Sequence, residues 1–344
     1  MSRATARNAS LAVRTKRIDA DTTLKRVISL GILDKSRKVL EKNGFVEIPV
    51  KESLPDCEVV LQEEPSYYRE TQDLASALDN ELPPNALRLL PRGWYILGDI
   101  IVVKIHPDLT PYASLIGRAL LSIYPRCHAV LRDYGIEGQL REPRREIIAG
   151  MCARTVHREN GVLFKLDAQK VMFSAGNLKE RMRMSHFGKG EFVVDMFAGI
   201  GYFSLQMAVH SRPRRVMAIE LYPVAFEYLC QNIVLNRVEE IVEPVLGDCA
   251  KMTPEGVADR VVMGMVQVTD KYIQKGIRAL RPGGILHYHQ TVPSWRFPEA
   301  AVEDVIEAAK SQGRKAEILQ CIRVKKFSPG VVHAVVDAQI EMDI

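Results

Sequence analysis

From about residue 190 onward the chain alternates between short apolar segments and longer helical ones, and this alternation constrains the fold more than any other feature. The candidate strands are EFVVDMF, RRVMAIE, VEPVLGD, DRVVMGMV and GGILHYHQTV. Such alternation is typical of an α/β fold with a Rossmann-like, mostly parallel sheet. KAEILQCIRVKKF and GVVHAVVDAQIEM follow with no helix between them, which predicts an antiparallel hairpin at the C-terminal edge of the sheet.

The rest of the chain is predicted to hold smaller parts. Residues 1–17 carry five basic residues and no acid, and the lack of periodicity predicts a disordered tail over 1–20. The further predicted parts are a small N-terminal module at 21–60, a proline-containing linker at 61–90, an α+β module at 91–175, and the domain with alternating strands and helices at 176–344. The basic residues of the tail are Arg3, Arg7, Arg14, Lys16 and Arg17.

Composition excludes several classes of protein. No run of about 18 apolar residues is present, so we expect no membrane span, and the polar N-terminus lacks the apolar core of a secretory signal. The six cysteines form neither a C-x-x-C pair nor a metal-ligand spacing, which favours a reduced cytoplasmic protein without a metal site.

The stretch VVDMFAGIGYFS, residues 193–204, predicts a nucleoside site. Gly199 and Gly201 let the backbone approach a ligand closely, and Asp195 ends the strand before them. Glu220 stands at the tip of the second strand, where a carboxylate can accept hydrogen bonds from ribose hydroxyls. Asp248 and Cys249 stand at the tip of the third strand, where a carboxylate can bind an adenine amino group. Carboxyl ends of parallel strands gather at one edge, so these acids are expected to meet in one crevice.

Two cofactors compete for such a site, and the residues favour S-adenosylmethionine over NAD. A nicotinamide site usually has a third glycine, where this chain has Ser204. Asp195 gains nothing beside a pyrophosphate, whereas it can pair with the cationic amino-acid portion of S-adenosylmethionine.

The stretches FKLDAQKVMFSAGNLKERMRM, VVDMFAGIGYFS, YLCQNIVLN, LGDC and GGILHYHQTV resemble the archaeal enzymes that act at position 37 of tRNA. Two sister activities share that scaffold, the guanine-37 N1-methyltransferase and the tRNA-Phe 4-demethylwyosine aminocarboxypropyltransferase. The resemblance implies a Rossmann-like S-adenosylmethionine-dependent transferase domain. It implies cofactor contacts at Ser174, Arg181, Glu220, Asp248 and Cys249. Phe197 and Gly199, in the loop after Asp195, complete the predicted cofactor set.

The segment after the fourth strand favours the second activity. Methyltransferases of this kind place Asn-Leu-Pro or Asn-Pro-Pro there, whereas this chain has Gly264, Met265 and Val266. The segment is similar to the MGYV of the aminocarboxypropyl branch, and LHYHQTV is close to that branch's HYHE. We therefore expect the 3-amino-3-carboxypropyl group to be transferred to carbon 7 of 4-demethylwyosine. Departures from the branch at Leu221, Tyr222, Met265 and Gln290 leave the exact substrate form open.

On the substrate side, Arg141 and Arg144 in QLREPRRE are predicted to contact the phosphate or base, with a salt-bridged surface turn as the alternative. Gly264, Met265 and His289 are predicted beside the target base. The expected partner is the anticodon stem-loop of tRNA-Phe, bound by a monomer, and no catalytic base is assigned. The alternative functions are guanine-37 N1-methylation and non-catalytic tRNA binding.

Overall fold

The computed structural model describes residues 10–42, 44–67, 73–138 and 140–342, and it divides into two compact units, 1–73 and 74–344. Arg3 and Arg7, from the predicted basic tail, lie outside the described residues. Within the described part of the chain, no helix is both long and apolar enough to cross a membrane.

The first unit is a four-stranded antiparallel sheet in the order β2-β3-β1-β4 with one α-helix. Its elements are β1 (Leu11–Lys16), α1 (Ala20–Ser29), β2 (Leu40–Lys42), β3 (Phe45–Pro49) and β4 (Glu58–Leu61). Val13 of β1 is fully buried against Val27 and Ile48. The prediction of disorder over 1–20 is therefore wrong for residues 11–20, because residues 11–16 form a strand whose Val13 belongs to this core, and residues 17–20 are helical.

The basic residues of this segment are partly neutralised by the same unit. The Arg14 guanidinium lies 2.9 Å from a Glu47 carboxylate oxygen, and Arg17 lies 3.3 Å from Glu41. Acidic residues that are distant in the sequence therefore neutralise part of the positive charge of Arg14 and Arg17.

The second unit begins with two short helices, α2 (Leu74–Leu78) and α3 (Pro84–Leu87). Leu74, Leu78 and Leu82 are buried in the same core as Ile101 and Leu120. The prediction of a linker over 61–90 is therefore wrong for its second half, because its leucines are core residues of a folded module.

That module contains a four-stranded sheet in the order β5-β6-β7-β8, with one helix between its second and third strands. The elements are β5 (Trp94–Leu97), β6 (Ile100–Val103), α4 (Ala113–Ile123), β7 (Ala129–Glu137) and β8 (Glu142–Ala149). A two-stranded ribbon follows, β9 (Arg154–Glu159) with β10 (Val162–Asp167), and then α5 (Leu178–Met184). One hydrophobic core joins Leu131 of the module, Phe164 of the ribbon and Val193 beyond them, so packing is continuous across the predicted boundary at 175/176.

The catalytic part is built on a seven-stranded sheet in the order β13-β12-β11-β14-β15-β17-β16 within residues 140–342. Its strands are β11 (Phe192–Asp195), β12 (Arg215–Glu220), β13 (Val242–Leu246), β14 (Ala258–Met263), β15 (Leu280–Pro293), β16 (Arg314–Ser328) and β17 (Val331–Met342). The first five of these are parallel, and β17 is antiparallel to both of its neighbours. The predicted parallel sheet with an antiparallel edge hairpin is confirmed.

The helices between these strands cover both faces of the sheet. They are α6 (Ser204–His210), α7 (Pro223–Leu235), α8 (Cys249–Met252), α9 (Ile273–Ala279) and α10 (Glu299–Lys310). The loops after β11, β12, β13 and β14 leave the sheet at one edge, and the site lies there.

Candidate active site

A cavity of about 290 Å³ lies at the carboxyl edge of the parallel strands. Ten of the thirteen predicted site residues line it: Arg141, Ser174, Arg181, Phe197, Gly199, Glu220, Asp248, Cys249, Gly264 and Met265. Asp195, His289 and Arg144 do not line it. The sequence therefore gathers most of its predicted residues in one place, as the rule for parallel strands requires.

Glu220 organises the loop of the G-x-G turn. One of its carboxylate oxygens accepts a hydrogen bond from the Gly199 backbone N–H at 2.7 Å, and the other accepts one from the Tyr222 N–H at 2.7 Å. Gly199 has φ +59°, and a β-carbon there would lie 2.3 Å from the Tyr202 ring, so only glycine fits. Burial raises the Glu220 pKa, and each oxygen keeps a lone pair for a further donor.

Asp195 lies behind the cavity wall and is 1 % exposed. Its carboxylate accepts hydrogen bonds from the Ser204 hydroxyl at 2.6 Å and from the Phe197 N–H at 3.3 Å. Burial raises the pKa of Asp195 to about 6, and the nearby Glu220 carboxylate adds to the effect. Ser204, which replaces the third glycine of a nicotinamide motif, therefore fixes this carboxylate.

Asp248 caps α8, because its side chain accepts a hydrogen bond from the Ala250 N–H at 2.9 Å. Capping does not remove it from the site, since Asp248 also lines the cavity. Cys249 is buried beside it, and burial together with the Asp248 charge raises its pKa to about 12. The thiol therefore stays protonated at neutral pH.

Arg181, a predicted cofactor contact, already has a carboxylate partner within the protein. It is 2 % exposed, and its Nε and Nη2 donate to the two Glu159 carboxylate oxygens at 2.5 and 2.7 Å. Its Nη1 donates to the Ser174 carbonyl at 2.9 Å. This pair ties the ribbon to α5, which leaves Arg181 with only two unassigned N–H groups.

A second cation in the cavity takes a more open position. The Lys325 ammonium, from β16, donates to the Ser174 hydroxyl at 3.0 Å and lines the cavity. Burial lowers its pKa, and the neighbouring Arg181 and Arg141 charges contribute. Lys325 is not among the predicted site residues, because its place in the cavity depends on the register of β16.

The cavity wall formed by the segment after β14 is apolar. Gly264, Met265 and Val266 all line the cavity. A β-carbon at Gly264 would lie 2.5 Å from Cε2 of the Phe203 ring. The space left by the glycine is therefore filled by Phe203, which itself lines the cavity.

The two predicted arginines of the β7–β8 hairpin separate. Arg141 has φ +57°, lines the cavity and approaches the Gln267 side chain in the loop after β14 at 3.5 Å. Arg144 instead forms an exposed ion pair with Glu137 at 2.7 Å, the salt-bridged surface turn that was the alternative. Arg144 is therefore not part of the cavity.

Gln290, one of the residues that differ from the aminocarboxypropyl branch, holds the loop after β14 in place. Its amide oxygen accepts from the Gln267 N–H at 3.2 Å, and its amide nitrogen donates to the Tyr288 hydroxyl at 3.1 Å and to Asp270 at 3.4 Å. A glutamate could not donate to Asp270, so glutamine suits this environment. Among the other departures, Leu221 and Tyr222 both line the cavity.

His289 lies behind the cavity and His333 takes the position at its wall. His289 is fully buried, and its Nδ1 lies 3.1 Å from Nε2 of His333. His289 faces Val335 across the strand pair, so that His333 is its diagonal neighbour on the same face. In the sequence, His333 is a lone histidine within GVVHAVV. Its place beside His289 follows only from the register of β15 with β17.

The polar cluster continues away from the cavity. His287 lies opposite Asp337, and their side chains meet at 2.6 Å. Arg183 donates to Asp337 at 2.5 Å and to Glu180 at 2.6 Å. Burial raises the Asp337 pKa, but hydrogen bonds from His287 and Arg183 outweigh that effect and lower it. Among the described residues, no His, Cys, Asp or Glu cluster is arranged to hold a metal ion.

Comparison with known proteins gives three family matches along the chain. Residues 155–319 match the TRM5/TYW2 methyltransferase domain, residues 74–153 match the TYW2 N-terminal domain, and residues 12–58 match the tRNA methyltransferase 5 N-terminal domain.

Whole proteins are similar over long stretches. The tRNA(Phe) (4-demethylwyosine(37)-C(7)) aminocarboxypropyltransferase of Pyrococcus horikoshii is 39% identical over 76% of this chain and 94% of the relative. The tRNA (guanine(37)-N(1))-methyltransferase Trm5b of Pyrococcus abyssi is 33% identical over 96% of this chain and 99% of the relative. The structure of P. horikoshii TYW2 in complex with MeSAdo superposes with a TM-score of 0.70 at 37% identity, covering 79% of this chain and 98% of that one. This chain belongs to the TRM5/TYW2 family.

Proposed function

We propose that this enzyme transfers the 3-amino-3-carboxypropyl group of S-adenosylmethionine to carbon 7 of 4-demethylwyosine at position 37 of tRNA-Phe. Methylthioadenosine is the by-product. The relative with 39% identity carries this activity in its name, whereas the named N1-methyltransferase is 33% identical.

The observation that carries the proposal is the apolar segment that follows β14, residues 264–266. Gly264, Met265 and Val266 line the cavity without an amide side chain or a proline, although the methyltransferase reaction is associated with an Asn in this segment. An apolar wall suits the flat face of a tricyclic base. The side chains of Gly264, Met265 and Val266 offer no donor to orient a guanine edge.

The residues at the carboxyl edge fit an S-adenosyl nucleoside. Glu220 keeps lone pairs for ribose hydroxyls, and Asp248 beside Cys249 offers a carboxylate where an adenine amino group is expected. The raised pKa of buried Asp195 indicates a carboxylate that a cation nearby would stabilise. When bound, the sulfonium makes the adjacent carbons electrophilic.

Lys325 is the best candidate for the cofactor's carboxylate. Its ammonium lies inside the cavity, and among the residues that the structure describes it donates only to a neutral hydroxyl, that of Ser174, at 3.0 Å. Arg181, in contrast, already pairs with Glu159. A cation that holds the cofactor's carboxylate at the far side of the cavity would turn the γ-carbon, rather than the methyl group, toward the target base. Lys325 would thus contribute by positioning the cofactor.

The family acts on tRNA, and the named relatives act at position 37 of it. We propose that the anticodon stem-loop approaches over Arg141, whose hairpin borders the cavity. Residues 12–58, which match the tRNA methyltransferase 5 N-terminal domain, would contact tRNA elsewhere. A monomeric state and a cytoplasmic location remain parts of this proposal.

Mass spectrometry of the reaction tests the proposal. The full chain is incubated with S-adenosylmethionine and with tRNA-Phe carrying either 4-demethylwyosine or guanosine at position 37. The expected result is methylthioadenosine, together with an aminocarboxypropyl mass gain on the tricyclic base only. S-adenosylhomocysteine with a methylated guanosine would assign the alternative methyltransferase activity, and the absence of both by-products would assign non-catalytic tRNA binding.

A further inference from the structure

We propose that His333 is the catalytic base that accepts the proton displaced from carbon 7 of the target base, and that His289 and Glu180 position it for this task. The inference rests on the proposed function, because the proton that His333 accepts is the one displaced from carbon 7 in that reaction. It is carried by a continuous line of three buried side chains that begins at the cavity wall.

The three side chains come from three elements. His333 of β17 lines the cavity and is 2 % exposed. Its Nε2 lies 3.1 Å from Nδ1 of His289 on β15. Nε2 of His289 in turn lies 3.7 Å from a carboxylate oxygen of Glu180 on α5, and it has no hydrogen-bond partner among the described residues.

The arrangement of these three side chains determines which ring nitrogen carries the proton in His289 and in His333. A lone pair at Nε2 of His289 would face the Glu180 carboxylate at 3.7 Å, which is repulsive, whereas an N–H there is attracted. If Nε2 of His289 carries the proton, its Nδ1 is an acceptor, and Nε2–H of His333 donates to it. Nδ1 of His333 then carries the lone pair that can act as a base.

The surroundings keep His333 neutral. The charged and titratable groups facing it are His289, Lys325 of β16, Glu180 of α5 and Arg141 of the β7–β8 hairpin. Burial lowers the pKa of His333 to about 3, and His289 and Lys325 reinforce the effect. The imidazole is therefore unprotonated at neutral pH. Because burial disfavours the imidazolium, a proton taken up at Nδ1 has to be passed on to His289 and Glu180.

The step balances as follows. A bond forms between carbon 7 of the base and the γ-carbon of the aminocarboxypropyl group, and the carbon–sulfur bond breaks with its electron pair remaining on the leaving thioether. The C7–H bond then gives its electrons back to the ring and its proton to Nδ1 of His333. His333 can pass its Nε2 proton to His289, which in turn passes one to Glu180, so that no positive charge stays on the buried pair.

The tautomers can be measured without any turnover. The full chain contains eight histidines, and ¹⁵N-histidine NMR of the cofactor-free protein, assigned with the variants His333→Asn and His289→Asn, reports which ring nitrogens carry protons. We expect both rings in the Nε2–H form at pH 7. An Nδ1–H form of His333 would overturn the proposal, because no lone pair would then remain for the substrate.

The catalytic role is tested by removal and chemical rescue. Under single-turnover conditions with tRNA carrying 4-demethylwyosine, His333→Ala should slow product formation by about 100-fold, a typical contribution of a general base. Calorimetric affinity for S-adenosylmethionine should change less than about 3-fold, because Glu220 and Asp248 are untouched. Added imidazole should restore at least a tenth of the rate, in proportion to its neutral form.

A loss that imidazole does not reverse, or a loss below about 5-fold, would overturn the assignment. If His333→Ala is unstable, His333→Asn keeps a polar side chain there, and it should show the same loss without a comparable loss in cofactor affinity. His287→Gln is the matched control, a buried histidine on the same face outside this line; its rate should stay within about 3-fold. Wild-type protein that releases no methylthioadenosine would refute the proposed function instead.

Discussion

The two halves of the seven-stranded sheet hold their polar groups in different places. In the parallel half, Glu220 and Asp248 stand at or just beyond the ends of strands, and loop N–H groups satisfy them. In the antiparallel half, where β15 pairs with β17 and β17 with β16, His289, His333 and Asp337 lie inside strands, and their polar contacts are to other side chains. Removing a polar side chain at a strand end should therefore disturb only its own loop. Removing one from inside a strand should disturb the core and cost more stability.

The largest expected effect comes from breaking the buried cluster of the antiparallel half. Asp337→Ala leaves Arg183 and His287 without their shared partner, and such a loss costs about 3–5 kcal/mol. The matched change in the parallel half, Asp248→Ala, removes a helix cap and should cost only about 1 kcal/mol. Urea unfolding of both variants measures the difference, and equal losses would contradict the distinction between the two halves.

The next effect concerns binding rather than stability. Glu220→Ala should weaken S-adenosylmethionine binding by about 100-fold, or ~2.7 kcal/mol, because it removes the Gly199 N–H contact together with the charge-assisted hydrogen bonds that we propose to ribose. Calorimetry measures the affinity. Glu243→Ala on β13, which removes only an exposed pair with Arg215, is the control and should bind normally. An unchanged affinity in Glu220→Ala would remove Glu220 from the cofactor site.

Lowering the pH should reduce the stability that the buried histidines of the antiparallel half contribute, and it should relieve the cost of burying Asp195 in the parallel half. The pKa of His289 and of His333 is about 3 in the folded chain, below the ordinary value of 6.5, mainly because of burial. Their contribution to stability is present above about pH 6.5 and is lost as the pH falls, by about 2 kcal/mol for each histidine at pH 5. Asp195 has a raised pKa of about 6, so its burial is penalised less as the pH falls below 6.

Unfolding free energies at pH 7 and pH 5 check these signs. The double variant His289→Gln with His333→Gln should lose less stability on acidification than the parent chain. Asp195→Asn should lose more, because it lacks the proton uptake that partly offsets the histidines. A parent chain that is equally stable at both pH values, with variants that match it, would show that the histidines are not held neutral.

The smallest effect tests the apolar segment that follows β14. Gly264→Ala brings a methyl group into the Phe203 ring and should cost about 1–2 kcal/mol by overpacking, while narrowing the cavity wall. Gly93→Ala meets no atom within 4 Å and is the control. Thermal unfolding and the apparent affinity for tRNA are the readouts, and a Gly264→Ala chain identical to the control would mean that Phe203 yields without cost.

The same contrast explains how much the sequence could predict. Glu220 and Asp248 were predictable because parallel strands bring their carboxyl ends together whatever the register. His333 and Lys325 were not, because their position depends on which residue of β15 or β16 faces which residue of β17. A shift of one residue would turn them to the other face. Arg181 lines the cavity, but its partner Glu159 lies on a ribbon that the sequence does not place beside it.

A dual-label experiment tests the central claim most directly. The full chain is given tRNA-Phe carrying 4-demethylwyosine, with S-adenosylmethionine labelled either in the methyl group or in the carboxyl carbon. The proposed reaction predicts that the carboxyl label is retained in the tRNA and that the methyl label leaves with the small thioether. Methyl label in the tRNA, with the carboxyl label released, would contradict the account.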